Sequence, residues 1–180
     1  MKPEIISFYS QEATHRLILL HGWGADANDL IPLGQELIKS LGLGAKFELV
    51  ALNAPETHPG GLGRQWYSLF PPDWAAVPAA VKSLQDRLKA LVTDEIPFEK
   101  TFLLGFSQGG AMALASGSDF SLAGLICCSG YSHPEWNPRP NTPSILLVHG
   151  QIDNVVPVEA SKNIVNLLEQ KNIKFESHIF

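Results

Sequence analysis

The sequence predicts an α/β protein, with a mostly parallel, twisted sheet covered by helices on both faces, in one domain over residues 1–180. Two patterns and one size argument lead there. Apolar runs of strand length recur at residues 16–21, 46–52, 102–104, 122–128 and 144–149, too short for buried helices and flanked by turn residues. Between them lie amphipathic stretches with apolar positions three and four residues apart. Strands separated by helices are joined by crossovers, which makes neighbouring strands parallel and buries both sheet faces. With 180 residues, 45% of them hydrophobic, the chain is long enough to bury one continuous core.

In chain order, residues 4–10 read as a short edge strand. Residues 16–21 form a buried strand that runs into Gly22-Trp23-Gly24, a loop rich in turn and cap residues. A helix follows over residues 30–41, with Leu33, Leu37 and Leu41 marking its apolar stripe and Gly42 and Gly44 ending it. After the strand at 46–52, residues 53–73 form a long irregular segment. Loops of this length within a compact domain are usually functional or act as lids. Val77, Val81, Leu84, Leu88 and Leu91 line one face of the next helix. An amphipathic helix at 158–171 and a last strand at 173–180 complete the pattern.

Composition removes several function classes. The net charge is −5, and no Lys/Arg stripe is present, which argues against a nucleic-acid partner. No apolar run approaches the length of a membrane span, so no stable membrane insertion is expected. The first residues carry no apolar signal-peptide core. Cys127 and Cys128 are adjacent in a predicted strand, where neighbours point to opposite faces and cannot pair. They read as two small buried thiols in a cytoplasmic protein.

Gly105-Phe106-Ser107-Gln108-Gly109 stands out because it follows a buried strand and precedes an Ala-rich helix. Strand, tight turn and helix are the context of a G-x-S-x-G nucleophile elbow, which exposes a serine Oγ above a sheet. A helix N-cap serine in an ordinary βα turn is the plain alternative. A serine nucleophile also needs a base, a carboxylate that orients the base, and donors for an oxyanion. Asp153 lies just past a strand's C-terminal end, on the rim where such sheets carry functional loops. It would otherwise be a turn or cap residue. The donors are expected to be the main-chain N–H groups of Gln108 and Trp23.

The base has no clear candidate. The order in such folds is serine, acid, histidine, and only His178 follows Asp153. It sits within the last strand and reads as a strand-face residue. His21 and His149 precede glycines at strand ends and read as loop-shaping residues. His15, His58 and His133 lie in polar segments and read as solvated. No histidine pair has zinc-motif spacing, so no metal site is read.

Five blocks occur in register: residues 20–26 (Leu-His-Gly-Trp-Gly-Ala-Asp), 64–67 (Arg-Gln-Trp-Tyr), 105–110 (Gly-Phe-Ser-Gln-Gly-Gly), 129–131 (Ser-Gly-Tyr), and His149-Gly-x-x-Asp153 continuing to Val156-Pro157. Together they closely resemble the phospholipase/carboxylesterase family of α/β-hydrolases, which includes acyl-protein thioesterases and small bacterial carboxylesterases. The resemblance implies Ser107 as nucleophile, Asp153 as triad acid, and Trp23 and Gln108 as the oxyanion hole. It places Trp66 and Tyr67 near the substrate, although both also fit as core aromatics. It implies no cofactor and a small-molecule, lipid or acylated substrate, cleaved as a carboxylic ester or thioester. The family's Gly-His loop and final helix would follow Phe180, so the sequence reads as truncated there. Apolar sheet surface left open by that helix gives an expectation of self-association as a homodimer. A fold retained for binding without catalysis, and a dienelactone- or peptidase-type hydrolase, are the rival readings.

Overall fold

Seven strands form one sheet in the computed structural model, which describes residues 5–180. The elements are β1 (Ile5–Phe8), β2 (His15–Leu20), α1 (Ile31–Ser40), β3 (Phe47–Leu52), the two-residue strands β4 (Glu56–Thr57) and β5 (Arg64–Gln65), α2 (Val77–Ala90), β6 (Thr101–Phe106), α3 (Gln108–Gly117), β7 (Gly124–Cys128), β8 (Ile145–His149), α4 (Glu159–Gln170) and β9 (Phe175–Ile179). The sheet order is β1-β3-β2-β6-β7-β8-β9, while β4 and β5 pair as a small separate hairpin. Only β1 runs antiparallel to its neighbour in the large sheet. Glu4, the expected start of the first strand, lies outside the described residues.

Side-chain alternation divides the core into two layers. Ile18, Leu20, Val50, Leu52, Leu103, Leu125, Cys127, Ile145 and Leu147 face α2, α3 and α4, meeting Leu84, Leu88, Leu114, Ile164 and Leu168. Leu17, Leu19, Leu49, Ala51 and Leu104 face the other way, toward Ile31 and Ile38 of α1. Cys127 and Cys128 fall on opposite sides and are free thiols.

The layer on the α1 side is incomplete. Among the described residues α1 packs over β2 and β3. Over β7 and β8 the same face leaves Ile126, Cys128, Leu146 and Val148 half-buried. A groove of about 350 Å³ runs there, lined in part by Phe102, Ile126, Leu146 and Phe175. No helix among the described residues is long and apolar enough to cross a membrane.

Helix α1 corrects one expectation. Leu33, Leu37 and Leu41 point outward and are exposed, whereas Ile31, Gly34 and Ile38 are buried. The reason is close approach. A Cβ at Gly34 would lie 2.7 Å from one methyl of Leu49 and 2.9 Å from one of Leu19. The helix rests on the sheet through its glycine, so the leucine stripe is rotated to the outside.

At the opposite end of the strands from the loops after β2 and β6, Arg16 and Glu48 pair side by side in the β2–β3 register. Arg16 Nε donates to Glu48 Oε2 at 2.8 Å, with both side chains almost fully buried. Removing one partner of such a pair strands a charge and typically costs about 3–5 kcal/mol. Glu48→Ala should therefore lower the unfolding free energy by about that amount. The double replacement Arg16→Met/Glu48→Leu should recover most of it, because no buried charge remains. Denaturant unfolding of wild type and the two variants checks this; equal loss in the single and double variants would refute it.

Candidate active site

Strand β6 ends at Phe106 and α3 starts at Gln108, leaving Ser107 alone at the turn. Its backbone is at φ 53°, ψ −117°, a region that costs a non-glycine residue on the order of 1–3 kcal/mol. Two main-chain bonds hold it there. Ser107 N–H donates to Cys128 O at 2.9 Å, and its carbonyl accepts from Ala111 N at 3.1 Å. The flanking glycines are steric requirements. A Cβ at Gly105 would lie 2.0 Å from Gly109 O, and one at Gly109 would lie 2.1 Å from Leu20 O. These approaches bring β6, α3 and the end of β2 together at one point.

The N–H of Gln108, first in α3, has no intrahelical partner and sits at the positive end of the helix dipole. Opposite it, the loop after β2 lies against the elbow. A Cβ at Gly22 would stand 3.5 Å from Ser107 Cβ and 3.3 Å from the Phe106 ring. Strand β5 fixes this loop from outside. Gly24 N donates to Arg64 O, Arg64 N donates to Ala25 O, and Trp23 Nε1 donates to Gln65 Oε1 at 2.9 Å. Arg64 also donates through its guanidinium to the carbonyls of Ala54 and Pro55.

His21 shapes the same loop. Its Nε2 accepts from Ala54 N at 3.0 Å, which places the ring proton on Nδ1, where it donates to Gly22 O at 2.7 Å. Burial pulls the ring's pKa below its ordinary value, so it stays neutral.

Gln108 contributes its side chain as well as its main chain, which sequence reasoning missed. The amide is fully buried; Oε1 accepts from Trp66 N at 3.1 Å and Nε2 donates to Tyr67 O at 2.8 Å. Trp66 Nε1 in turn donates to His21 O at 2.9 Å. Trp66 and Tyr67 are only 2% and 0% exposed. They sit behind the elbow and are not among the residues lining its pocket.

Asp153 occupies the turn after β8. Its Oδ1 accepts from Val155 N and Val156 N, each at 2.9 Å. The Val156 N–H, followed by the Val155 N–H and the Ser129 hydroxyl, holds the carboxyl below its ordinary pKa. Ser107, Asp153, Gly22, Trp23, Phe106, Ser129 and Val156 share one pocket of about 230 Å³. Three of the six residues singled out in the sequence line it, and Gln108 adjoins Ser107 in the chain. Ser129, at φ 45°, was not singled out for a role. Its nearness to Asp153 is a tertiary feature that the sequence does not announce.

His178 is on β9 opposite Val148. It is exposed, with Nε2 3.9 Å from Glu176 Oε2. No described histidine hydrogen-bonds to Ser107. Among the described residues, no group of three or more His, Cys, Asp or Glu is arranged to hold a metal ion.

His133 departs from expectation: it is buried, at 4% exposure. Tyr67 Oη lies 2.6 Å from Tyr131 Oη and 2.8 Å from His133 Nε2, and Trp74 packs over the group. The polar neighbours of His133 in sequence conceal this, because the burying rings come from residues 67 and 74. Burial lowers the pKa of His133 from 6.5 to about 4. Between those values the unfolded chain binds a proton that the folded one does not. The stability contribution is complete above pH 6.5 and lost as pH falls toward 4, by about 3 kcal/mol in all. His133→Gln should flatten that part of the stability-versus-pH curve, measured by urea unfolding at pH 4 to 7. An unchanged slope would refute the assignment.

The family profile described as phospholipase/carboxylesterase matches residues 1–180. Acyl-protein thioesterase 1 of Neurospora crassa is 30% identical over 137 residues, covering 63% of this chain and 56% of that protein, so the chain spans little more than half of that relative. Acyl-protein thioesterase 1 of Kluyveromyces lactis is 25% identical over 184 residues, covering 89% and 79%. Among solved structures, esterase PE8 superposes with a TM-score of 0.80 at 30% identity, covering 97% of this chain and 87% of that one. A profile matched from the first residue to the last, over a sheet that carries the elbow serine at its centre, assigns this chain to the phospholipase/carboxylesterase family.

Proposed function

We propose that the protein is a serine hydrolase that cleaves carboxylic esters or thioesters of acyl chains through an acyl-enzyme on Ser107. The observation that carries this reading is the shared pocket of Ser107 and Asp153, with Ser107 held in a strained elbow. In this reading Ser107 Oγ attacks the acyl carbonyl and its proton passes to a base. The oxyanion rests on the N–H groups of Trp23 and Gln108, which are fixed before the substrate arrives. The base then protonates the departing alcohol or thiol, and water releases the acid by the reverse path. No cofactor takes part. Relatives named as thioesterases and an esterase support the ester or thioester class. Trp66 and Tyr67 serve here by holding the pocket wall, through Gln108 and His21, from behind.

The base in this reading is a histidine in chain that follows Phe180. The end of β9 supports the placement. Phe180 N donates to His149 O, and Gln151 N donates to Phe180 O at 2.7 Å. Chain leaving Phe180 therefore starts at the same rim as the Asp153 turn. The same segment would cover the half-buried face of β7 and β8. Free Cys127 and Cys128 agree with a cytoplasmic setting.

A second reading, an α/β-hydrolase fold kept for binding alone, draws on the lack of a bond from any described histidine to Ser107. Labelling by a fluorophosphonate separates the two, since only an activated serine reacts.

In full-length protein, Ser107→Ala should abolish hydrolysis of a p-nitrophenyl ester while leaving the fold intact. Serine proteases set the scale of that loss, on the order of a million-fold in kcat. Asp153→Asn should cost on the order of ten-thousand-fold by orienting the base wrongly. Wild-type turnover by either variant would refute the role given to that residue. His178→Ala should leave kcat unchanged; a loss comparable to that of Ser107→Ala would make His178 the base.

A further inference from the structure

Asp153 can orient a base only if its own turn is fixed. Besides the two N–H groups on Oδ1 and the Asp153 N–H on Gly150 O at 3.3 Å, a side chain fastens that turn. His149, the last residue of β8, is 1% exposed. Its Nε2 lies 2.8 Å from Val156 O. A carbonyl only accepts, so Nε2 carries the proton and donates. The other ring nitrogen, Nδ1, is buried with no hydrogen-bond partner. The ring thus makes a single hydrogen bond, and its partner is Val156, whose own N–H donates to Asp153 Oδ1. The same Nε2 stands 3.8 Å from Asp153 Oδ2, so the ring also backs the carboxylate oxygen that is not held by the turn. His149 is not among the residues lining the Ser107 pocket.

We propose that His149 is a positioning residue for catalysis: its Nε2–H holds the Val156 carbonyl, and through Val156 the ring sets the direction of the Asp153 carboxylate. The energetics favour such an arrangement being selected for geometry. A buried ring nitrogen without a partner carries a desolvation cost, and an apolar residue of similar size would remove that cost. The imidazole gives in return a directed donor at the end of a rigid ring, reaching across seven residues of chain to fix the carbonyl. Misplacement of a catalytic group by about 1 Å costs on the order of a hundredfold in rate.

The proposal rests on the hydrolase reading above, and the test separates the two. Wild type, His149→Ala, Asp153→Asn and the double variant of full-length protein are compared on a p-nitrophenyl ester. His149→Ala should lower kcat by about a hundredfold with KM little changed. In the Asp153→Asn background the same change should cost almost nothing, because the group it positions has already lost its role. Equal losses in both backgrounds, or wild-type kcat in His149→Ala, would overturn the proposal. Full activity in Asp153→Asn would remove the role given to Asp153 and overturn the proposal with it, whereas no hydrolysis by wild type would overturn the hydrolase reading. Should His149→Ala fail to fold, His149→Gln and His149→Asn give the same answer. Glutamine can place an N–H near the Nε2 position and should retain most of the rate. Asparagine reaches only the Nδ1 position and should not, and equal rates for the two would refute the role.

Discussion

The contact between Gly109 and the carbonyl of Leu20 decides how this protein is put together. There is no room for a side chain between them; a Cβ at Gly109 would overlap that oxygen at 2.1 Å. Because α3 can descend so far, its first turn lies against the ends of β2 and β6 together. The central strand β6, its neighbour β2, the helix dipole and Ser107 then share one location. Leu114, Met112 and Ala113 are fully buried as a consequence, which is why α3 is built of small and apolar residues. The strained Ser107 backbone is tolerable because the groups around it are themselves immobile.

Around that point, polar contacts are made mainly by main-chain groups, and the side chains involved serve to hold them. His21 grips Ala54 and Gly22, Gln108 grips Trp66 and Tyr67, and Arg64 grips Ala54 and Pro55. Fixed dipoles directed at a developing charge lower a barrier more than mobile ones, since nothing must reorganise during reaction. The charge states fit this arrangement. Burial keeps His21 and His133 neutral, so neither adds a buried cation to this half of the molecule. Asp153 is the opposite case, kept ionised by the N–H groups that surround it.

Much of this was legible in the sequence where the requirement is local. Gly105 and Gly109 flank Ser107 because backbone approach demands it, and a four-residue spacing shows that directly. Asp153 before Val155 and Val156 is a short turn whose carboxylate captures its own chain. The mostly parallel run of the strands followed from alternating elements. What stayed hidden depends on distant partners. Gln108 meets Trp66 and Tyr67 across 42 and 41 residues, so only its main-chain N–H could be inferred. His133 sits among polar neighbours in sequence yet lies beneath Trp74 and Tyr67. The outward leucines of α1 were misleading because Gly34, which carries no hydrophobic signal, makes the contact.

The two halves of the site are held with unequal security. Ser107 follows directly on β6, a strand flanked on both sides by parallel strands and covered by α3. Asp153 follows β8, whose outer neighbour β9 is the edge of the sheet, exposed along Glu176, Ser177 and His178. Local opening free energies are smallest where buried apolar contacts are few. The Asp153 turn therefore belongs to a sparsely covered part of the described residues, and its internal fastenings carry weight that packing supplies elsewhere. The hydrogen bonds of Phe180 to His149 and Gln151 add to them. A carboxylate on such a turn keeps its direction through short-range bonds within residues 149–156, and this explains why that segment concentrates so many of them in so few residues.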